Sequence, residues 1–146
     1  IEDAIDELRE LGHGIYPTLL ANSGLAAAVQ SLARRSSGRI VFTNDYTGEL
    51  PTEVEAPVYY CCLEAVQNAT KHAGPATAIR VRLSTDSGEL HLEVSDDGLG
   101  FDVATTHDGV GLRNMRDRLG AVHGRLEISS RRGRGTLVRA SVPLVR

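Results

Sequence analysis

The chain has 146 residues, 41% of them apolar and 24% charged, which is the size and balance of one compact domain and excludes a second full one. Sixteen Lys+Arg against nineteen Asp+Glu give a formal net charge of -3, so no whole-chain field attracts DNA, RNA or anionic lipid, and binding must rest on a local site. Fifteen Gly, five Pro, no Trp and 4% aromatics exclude a collagen-like or Pro-rich chain and an aromatic carbohydrate platform, and the apolar share excludes wholesale disorder.

From Ile1 to Leu11 the apolar positions Ile1, Ala4, Ile5, Leu8 and Leu11 recur at three- and four-residue steps, which predicts an amphipathic helix stopped by Gly12, Gly14 and Pro17. Asn22-Ser23-Gly24 offers a capping group ahead of a second helix, Leu25 to Arg35. Ile40 to Thr43 reads as a strand, and Asn44 to Pro51 as an exposed, turn-rich connection. Thr52 to Ala73 is the longest predicted helix, with Pro57 in its first turn and Cys62, Ala65, Val66 and Ala69 on one small-apolar face.

Gly74-Pro75 closes that helix. Ala78 to Ser84 and Glu89 to Ser95 alternate with period two around Asp86-Ser87-Gly88 and predict an antiparallel hairpin. Gly109-Val110-Gly111 leads into a helix from Leu112 to Val122, for which Gly124 is the expected C′ stop. A last hairpin, Arg125 to Ser130 and Thr136 to Val142, turns through Gly133-Arg134-Gly135. Strands joined mostly as hairpins with helices inserted between them predict an α+β two-layer sandwich, its helices on one face of a mixed, mostly antiparallel sheet.

Cys61 and Cys62 are adjacent on a helix, so they point apart and staple nothing. No run approaches the roughly 18 apolar residues of a membrane span, and the first residues lack the basic start of a signal peptide, which predicts a cytoplasmic chain. A start without Met, inside a helical pattern, reads as a piece of a longer protein whose other parts could be membrane-anchored.

Four segments can carry chemistry. Glu64, Asn68 and His72 stand at i, i+4 and i+8 on the face of the long helix opposite its apolar stripe, with Lys71 one step away. Such a row suits a charged ligand: an amide oxygen for Mg²⁺, cationic groups for phosphate and a carboxylate for a proton. The same row is equally the pattern of a solvated helix face. Asp96-Asp97-Gly98-Leu99-Gly100 follows an alternating strand, where glycines let backbone approach a flat ligand and Asp96 can accept its hydrogen bond; an Asp-Gly turn is the plainer reading. Gly109-Val110-Gly111 opens a helix and offers free N–H groups to a polyphosphate, without the Gly-Lys-Ser/Thr of a Walker loop or a full Rossmann fingerprint. Gly135-Thr136 puts a hydroxyl at the head of the last strand, where Thr also serves strand propensity.

Taken in this order, Glu64-Ala65-Val66-Gln67-Asn68-Ala69-Thr70-Lys71-His72 resembles the N box of the GHKL ATPases, Asp96 to Gly100 their DxGxG box, Gly109 to Leu112 their GxGL box, and Gly135-Thr136 their terminal Gly-Thr. Gln-Asn-Ala-Thr-Lys-His and Gly-Leu-Arg-Asn-Met-Arg-Asp-Arg-Leu resemble bacterial two-component sensor histidine kinases of the subgroup paired with LuxR-type response regulators, and Glu7 to Leu20 resembles the end of their dimerisation helix. The resemblance implies a Bergerat fold, with residues 1–20 as the end of the dimerisation helix and linker and residues 21–146 as the ATP-binding catalytic domain.

It further implies that ATP and Mg²⁺ are bound. Asn68 would ligate the metal, Asp96 would take the adenine amino group, and Gly98 and Gly100 would shape the adenine pocket. Thr136 would support the purine, while Gly109, Val110, Gly111 and Leu112 would face the phosphates with Lys71 and His72 reinforcing them. Glu64 would be the general base that readies an acceptor imidazole. The implied partners are a dimerisation and phosphoacceptor domain of the same kinase and a response regulator, with no direct nucleic-acid or membrane contact.

Two departures stand out. The lid between the glycine boxes, Phe101 to Asp108, is short, and the acceptor motif, a His beside an acidic residue on a long helix, is absent; His13 is bracketed by Gly12 and Gly14. The expectation is a fragment that binds nucleotide and does not autophosphorylate. Two other readings are an anti-sigma-type serine kinase, which shares these boxes, and a non-enzymatic module that docks to a partner under nucleotide control. Arg131, Arg132, Arg134 and Arg139 read as a solvated or partner-facing basic cluster.

Overall fold

The structure, a computed structural model, describes residues 19–20, 22–46, 48–73, 78–100 and 110–144, the side chains of residues 72, 73, 110 and 111 excepted. The expected helix from Ile1 to Leu11, His13, the Gly74-Pro75 stop, the lid from Phe101 to Asp108 and Gly109 lie outside these residues.

Among the described residues, helix α1 spans residues 22–35, then come β1 (Ile40–Asp45), α2 (Thr52–Ala73), β2 (Ile79–Asp86), β3 (Glu89–Asp96), α3 (Val110–Gly120), β4 (Arg125–Ser130) and β5 (Thr136–Pro143). The five strands form one sheet in the order β1-β2-β3-β5-β4. Only β1–β2 is parallel, because α2 carries the chain across between them, while the other pairs are antiparallel. The mixed, mostly antiparallel sheet of the sequence reading is thus present.

Alternation decides the two faces. Val81, Val94 and Val138 share one register row, Leu83, Leu92 and Ala140 the next, and all six are buried in one core with Leu25 and Val29 of α1, Val58, Cys62 and Val66 of α2, and Met115 and Leu119 of α3. The opposite face carries Thr43, Arg82, Glu93, Arg139 and Glu127 in one row and Asp45, Ser84, His91, Ser141 and Arg125 in the next. Its ion pairs include Arg82–Asp45 at 2.7 Å and Arg125–Glu89 at 2.7 Å, and in their midst the His91 Nδ1 and Ser141 Oγ lie 2.9 Å apart. The helices therefore cover one face and leave the other bare of helix.

Several local expectations shift for identifiable reasons. The Leu25 N–H donates to Glu55 Oε2 at 2.7 Å, so a carboxylate from the start of α2 supplies the cap expected from Asn22-Ser23-Gly24. Pro57 falls in the second turn of α2, not the first. The β2–β3 turn places both Ser87 (φ 53°) and Gly88 (φ 76°) in the left-handed region, the type I′ geometry that matches strand twist, and this lengthens β2 to Asp86. At the end of α3 the left-handed residue is His123 (φ 61°), not Gly124. Gly124 N–H donates to Leu119 O at 2.7 Å and His123 N–H to Gly120 O at 3.1 Å, which is a Schellman ending with His at C′. Gly124 is needed because a β-carbon there would sit 3.0 Å from both the Ser141 oxygen and Val142 Cγ2.

Leu92 is fully enclosed on the central strand. Leu92→Ala is expected to cost about 2–5 kcal/mol, the usual range for a buried Leu that leaves a cavity, whereas Val41→Ala on the exposed face should stay within about 0.5 kcal/mol. Urea unfolding midpoints of the two variants check the contrast.

Candidate functional site

One register row crosses the whole sheet at one end: Ile40, Ile79, Asp96, Thr136 and Ser130. It lies on the helix-covered face, apolar on its β1–β2 side and polar on its β3–β5–β4 side. Asp96 is only 5% exposed. Its Oδ1 accepts the Gly98 N–H at 2.9 Å, and its other oxygen meets no donor among the described residues. The Thr136 and Ser130 hydroxyls lie 2.8 Å apart, and Ser130 Oγ donates to the Gly135 carbonyl at 3.1 Å. A buried carboxylate beside a hydroxyl pair can read the donor edge of a planar ligand.

The turn after Asp96 is packed backbone to backbone on the β4–β5 turn. The Gly133 N–H donates to the Leu99 carbonyl at 2.6 Å. Gly100 (φ 65°) has no room for a β-carbon, which would overlap the Arg131 carbonyl oxygen, and a β-carbon on Gly135 (φ 77°) would overlap the Asp96 carbonyl. Of the two glycines singled out in the Asp96–Gly100 segment, Gly100 has the positive φ, while Gly98 contributes its N–H. Asp97 is exposed on the bare face, where Arg80 grips it with two hydrogen bonds of 3.0 and 3.1 Å. That guanidinium holds the Asp97 carboxyl below its ordinary pKa.

The helices reach the same end. Glu53 and Val54 of α2, Ala121 to His123 after α3, and Pro143 of β5 line one groove at the opposite end of the fold. From there Asn68 lies about 22 Å along α2 at 1.5 Å per residue, and Thr136 about 23 Å along β5 at 3.3 Å per residue. Asn68 is therefore level with the Asp96–Thr136 row. Further along α2 the Arg118 guanidinium stacks 3.8 Å from the centre of the Tyr60 ring, and the Cys61 thiol donates to the Met115 carbonyl at 3.8 Å. With Val122 beside Val54, these contacts make α3 antiparallel to α2, so its N-terminus with its free N–H groups points to the Asn68 half.

Asp96, Thr136, Gly98, Gly100, Asn68 and the start of α3 at Val110, Gly111 and Leu112 are thus gathered at one end. Glu64 lies one turn behind Asn68 on α2, half-buried, and Lys71 is exposed one turn beyond it. The His72 side chain and Gly109 lie outside the described residues. Sequence reasoning passed over Ser130 and Arg80. Ser130 was legible, since it faces Thr136 across the final turn; Arg80 was not, because its partner is 17 residues away. Arg139 is flanked in register by Glu93 and Glu127, which separates it from the rest of the expected basic cluster.

Two predictions follow from this packing. Gly133→Ala meets open space and pays only for its left-handed backbone, about 1–2 kcal/mol; Gly135→Ala also strikes the Asp96 carbonyl and should destabilise well beyond that in a urea titration. Burial raises the Cys61 and Cys62 thiols from 9.0 to about 12, so both should resist Ellman's reagent in the native protein and react once it is unfolded. Because the unfolded thiols ionise first, stability from these two groups is complete below pH 9 and declines as pH climbs toward 12.

Residues 53–146 match the family described as histidine kinase-, DNA gyrase B-, and HSP90-like ATPase. The sensor histidine kinase MctS of Rhizobium johnstonii is 34% identical over 98% of this chain and 32% of its own length. Sensor histidine kinase ComP of Bacillus subtilis is 32% identical over 92% of this chain and 18% of its own, and the oxygen sensor histidine kinase NreB of Staphylococcus carnosus 32% identical over 96% and 42%. The chain therefore spans less than half the length of each. The histidine kinase domain of the blue-light activated kinase EL346 from Erythrobacter litoralis superposes with a TM-score of 0.70 at 26% identity, over 82% of this chain and 65% of that one. The fold and more than half of the sequence agree: the chain belongs to the histidine kinase-, DNA gyrase B- and HSP90-like ATPase family and is homologous to the catalytic domains of sensor histidine kinases.

Proposed function

We propose that this chain binds ATP with Mg²⁺ on the cytoplasmic side and transfers the γ-phosphoryl group to a histidine on a dimerisation domain of the same kinase, for relay to a response regulator. The observation that carries the reading is the buried Asp96 carboxylate, one oxygen held by Gly98 and the other without a donor among the described residues, at the end of the fold reached by Asn68 and the start of α3. In this reading Asp96 accepts the adenine amino hydrogen, Gly98 and Gly100 shape the adenine pocket, Gly100 by seating the turn on the last hairpin, and the Thr136 hydroxyl, held by Ser130, supports the purine. The N–H groups of Gly109, Val110, Gly111 and Leu112 face the phosphates, and Lys71 and His72 add positive charge to them.

Asn68 suits a magnesium site of the kind that arrives with its phosphates. Its amide oxygen is a neutral hard ligand, and no group of three His, Cys, Asp or Glu converges among the described residues to hold a metal alone. Mg²⁺ bound there supplies charge neutralisation on the triphosphate. Glu64, one turn back, is the group assigned to take the proton of the acceptor imidazole as its nitrogen bonds to phosphorus and the bond to the β-phosphate oxygen breaks. What this chain contributes is mostly position.

Calorimetry with ATP and Mg²⁺ tests the reading. Wild type should bind, and Asp96→Ala should lose affinity by about 5- to 150-fold, the cost of about 1–3 kcal/mol for leaving a buried adenine donor unsatisfied; an ATP-blind wild type would sink the proposal. With full dimerisation helices supplied, label should appear as acid-labile phosphohistidine. Acid-stable phosphoserine would favour a serine kinase, and no label on any acceptor would favour a nucleotide-gated docking module.

A further inference from the structure

The turn from Asp96 to Gly100 has two sides. Asp96 faces the helix layer, while Asp97 faces the bare side of the sheet. There a shallow groove of about 590 Å³ lies between the Arg80–Asp97 pair and the β4–β5 tip that carries Arg131 and Arg134, with Ser95, Ser129 and Leu137 along it, and it reaches Asp96, Ser130, Gly135 and Thr136 at the edge of the sheet. The exposed large hydrophobic residues among the described ones are Val41, Leu99 and Leu137, at 53%, 68% and 36% exposure. All three belong to this end. Val41 and Leu137 share one row with Arg80, and Leu99 sits in the turn itself, its carbonyl bonded to Gly133. The ion pairs elsewhere on this face tie up Arg82 and Arg125, whereas Arg131, Arg132 and Arg134 have no ion-pair partner among the described residues.

We propose that this groove docks an acidic, leucine-bearing segment of a partner protein, and that docking is coupled to nucleotide binding through the shared Asp96–Gly100 turn. Charge complementarity argues for the acidic partner: three guanidinium groups without an ion-pair partner among the described residues stand on one tip of a chain whose net charge is -3. Arginine beside exposed aliphatic side chains is the composition of a protein interface core and rim. The groove has no aromatic side chain on which a base could stack.

The coupling follows from contact. Gly100 against the Arg131 carbonyl, Gly135 against the Asp96 carbonyl and the Gly133–Leu99 hydrogen bond leave the arginine tip and the turn no independent freedom. A partner that shifts the tip therefore shifts the carboxylate on the turn's other side, and the effect must be reciprocal. Only this coupling rests on the nucleotide site proposed above; the docking does not.

A fluorescein-labelled peptide of repeated Asp-Glu-Leu triplets serves as the probe, with anisotropy read on the whole chain with and without ATP and Mg²⁺. Binding should weaken with salt and fall at least about tenfold when Arg131→Glu and Arg134→Glu are combined, with the urea midpoint unchanged because both side chains are exposed. Leu137→Ser should weaken the leucine-containing peptide and leave a plain Glu peptide unaffected. ATP should change the peptide affinity by the same factor as the peptide changes that of ATP. No binding, binding equal in the double variant, or tighter binding of single-stranded DNA or phosphatidylglycerol vesicles would overturn the docking. Independent binding of peptide and ATP would overturn the coupling, while peptide binding by a chain that ignores ATP would sustain the docking and remove the nucleotide reading instead.

Discussion

Two carbonyl oxygens, those of Asp96 and Arg131, occupy the space where β-carbons of Gly135 and Gly100 would be. Everything proposed for the site depends on this close approach. It lets the Asp96–Gly100 turn lie flat on the last hairpin, aligns Asp96 with Thr136 across β3 and β5, and leaves one carboxylate oxygen without a donor among the described residues while Gly98 holds the other. Any side chain at either position must separate the two turns, and the carboxylate then loses the wall that keeps it dry and oriented.

The second constraint is the antiparallel contact of α2 and α3. The Tyr60–Arg118 stack and the Cys61–Met115 contact lie near the middle of α2, about two turns before Asn68, and they set the direction in which α3 presents its first turn. A cation over an aromatic ring at a partly exposed site is worth about 0.5–1 kcal/mol, so the enclosed Met115 and Leu119 hold the two helices together while the stack sets their alignment. Surface pairs such as Arg80–Asp97 likewise contribute little to stability; their use is to fix the orientation of one turn.

Much of this was legible in the sequence because local chemistry and tertiary demand agree. The span of α2, the two antiparallel hairpins and the helix-covered face follow from periodicity, and the glycines at 98 and 100 mark close backbone approach, toward a ligand in the sequence reading and, for Gly100, toward the last hairpin in the structure. What escaped the sequence was settled by partners far along the chain. Glu55 caps α1 from 30 residues away, His123 takes the left-handed position because Gly124 is reserved for contact with Ser141 and Val142, and Arg80 finds Asp97 only once β2 and β3 have paired. The proposed site was read from four separated segments, and the strand register and helix direction that gather them at one end belong to the folded chain.

The lengths of the strands carry a consequence of their own. The three inner strands have eight residues each, while the outer two, β1 and β4, have six. The rims are further guarded by charge, with Asp45 on one and Arg125 and Glu127 on the other. Short, charged margins make poor templates for strand addition between molecules. Two copies held side by side can therefore meet through side chains without fusing their sheets into a continuous ribbon.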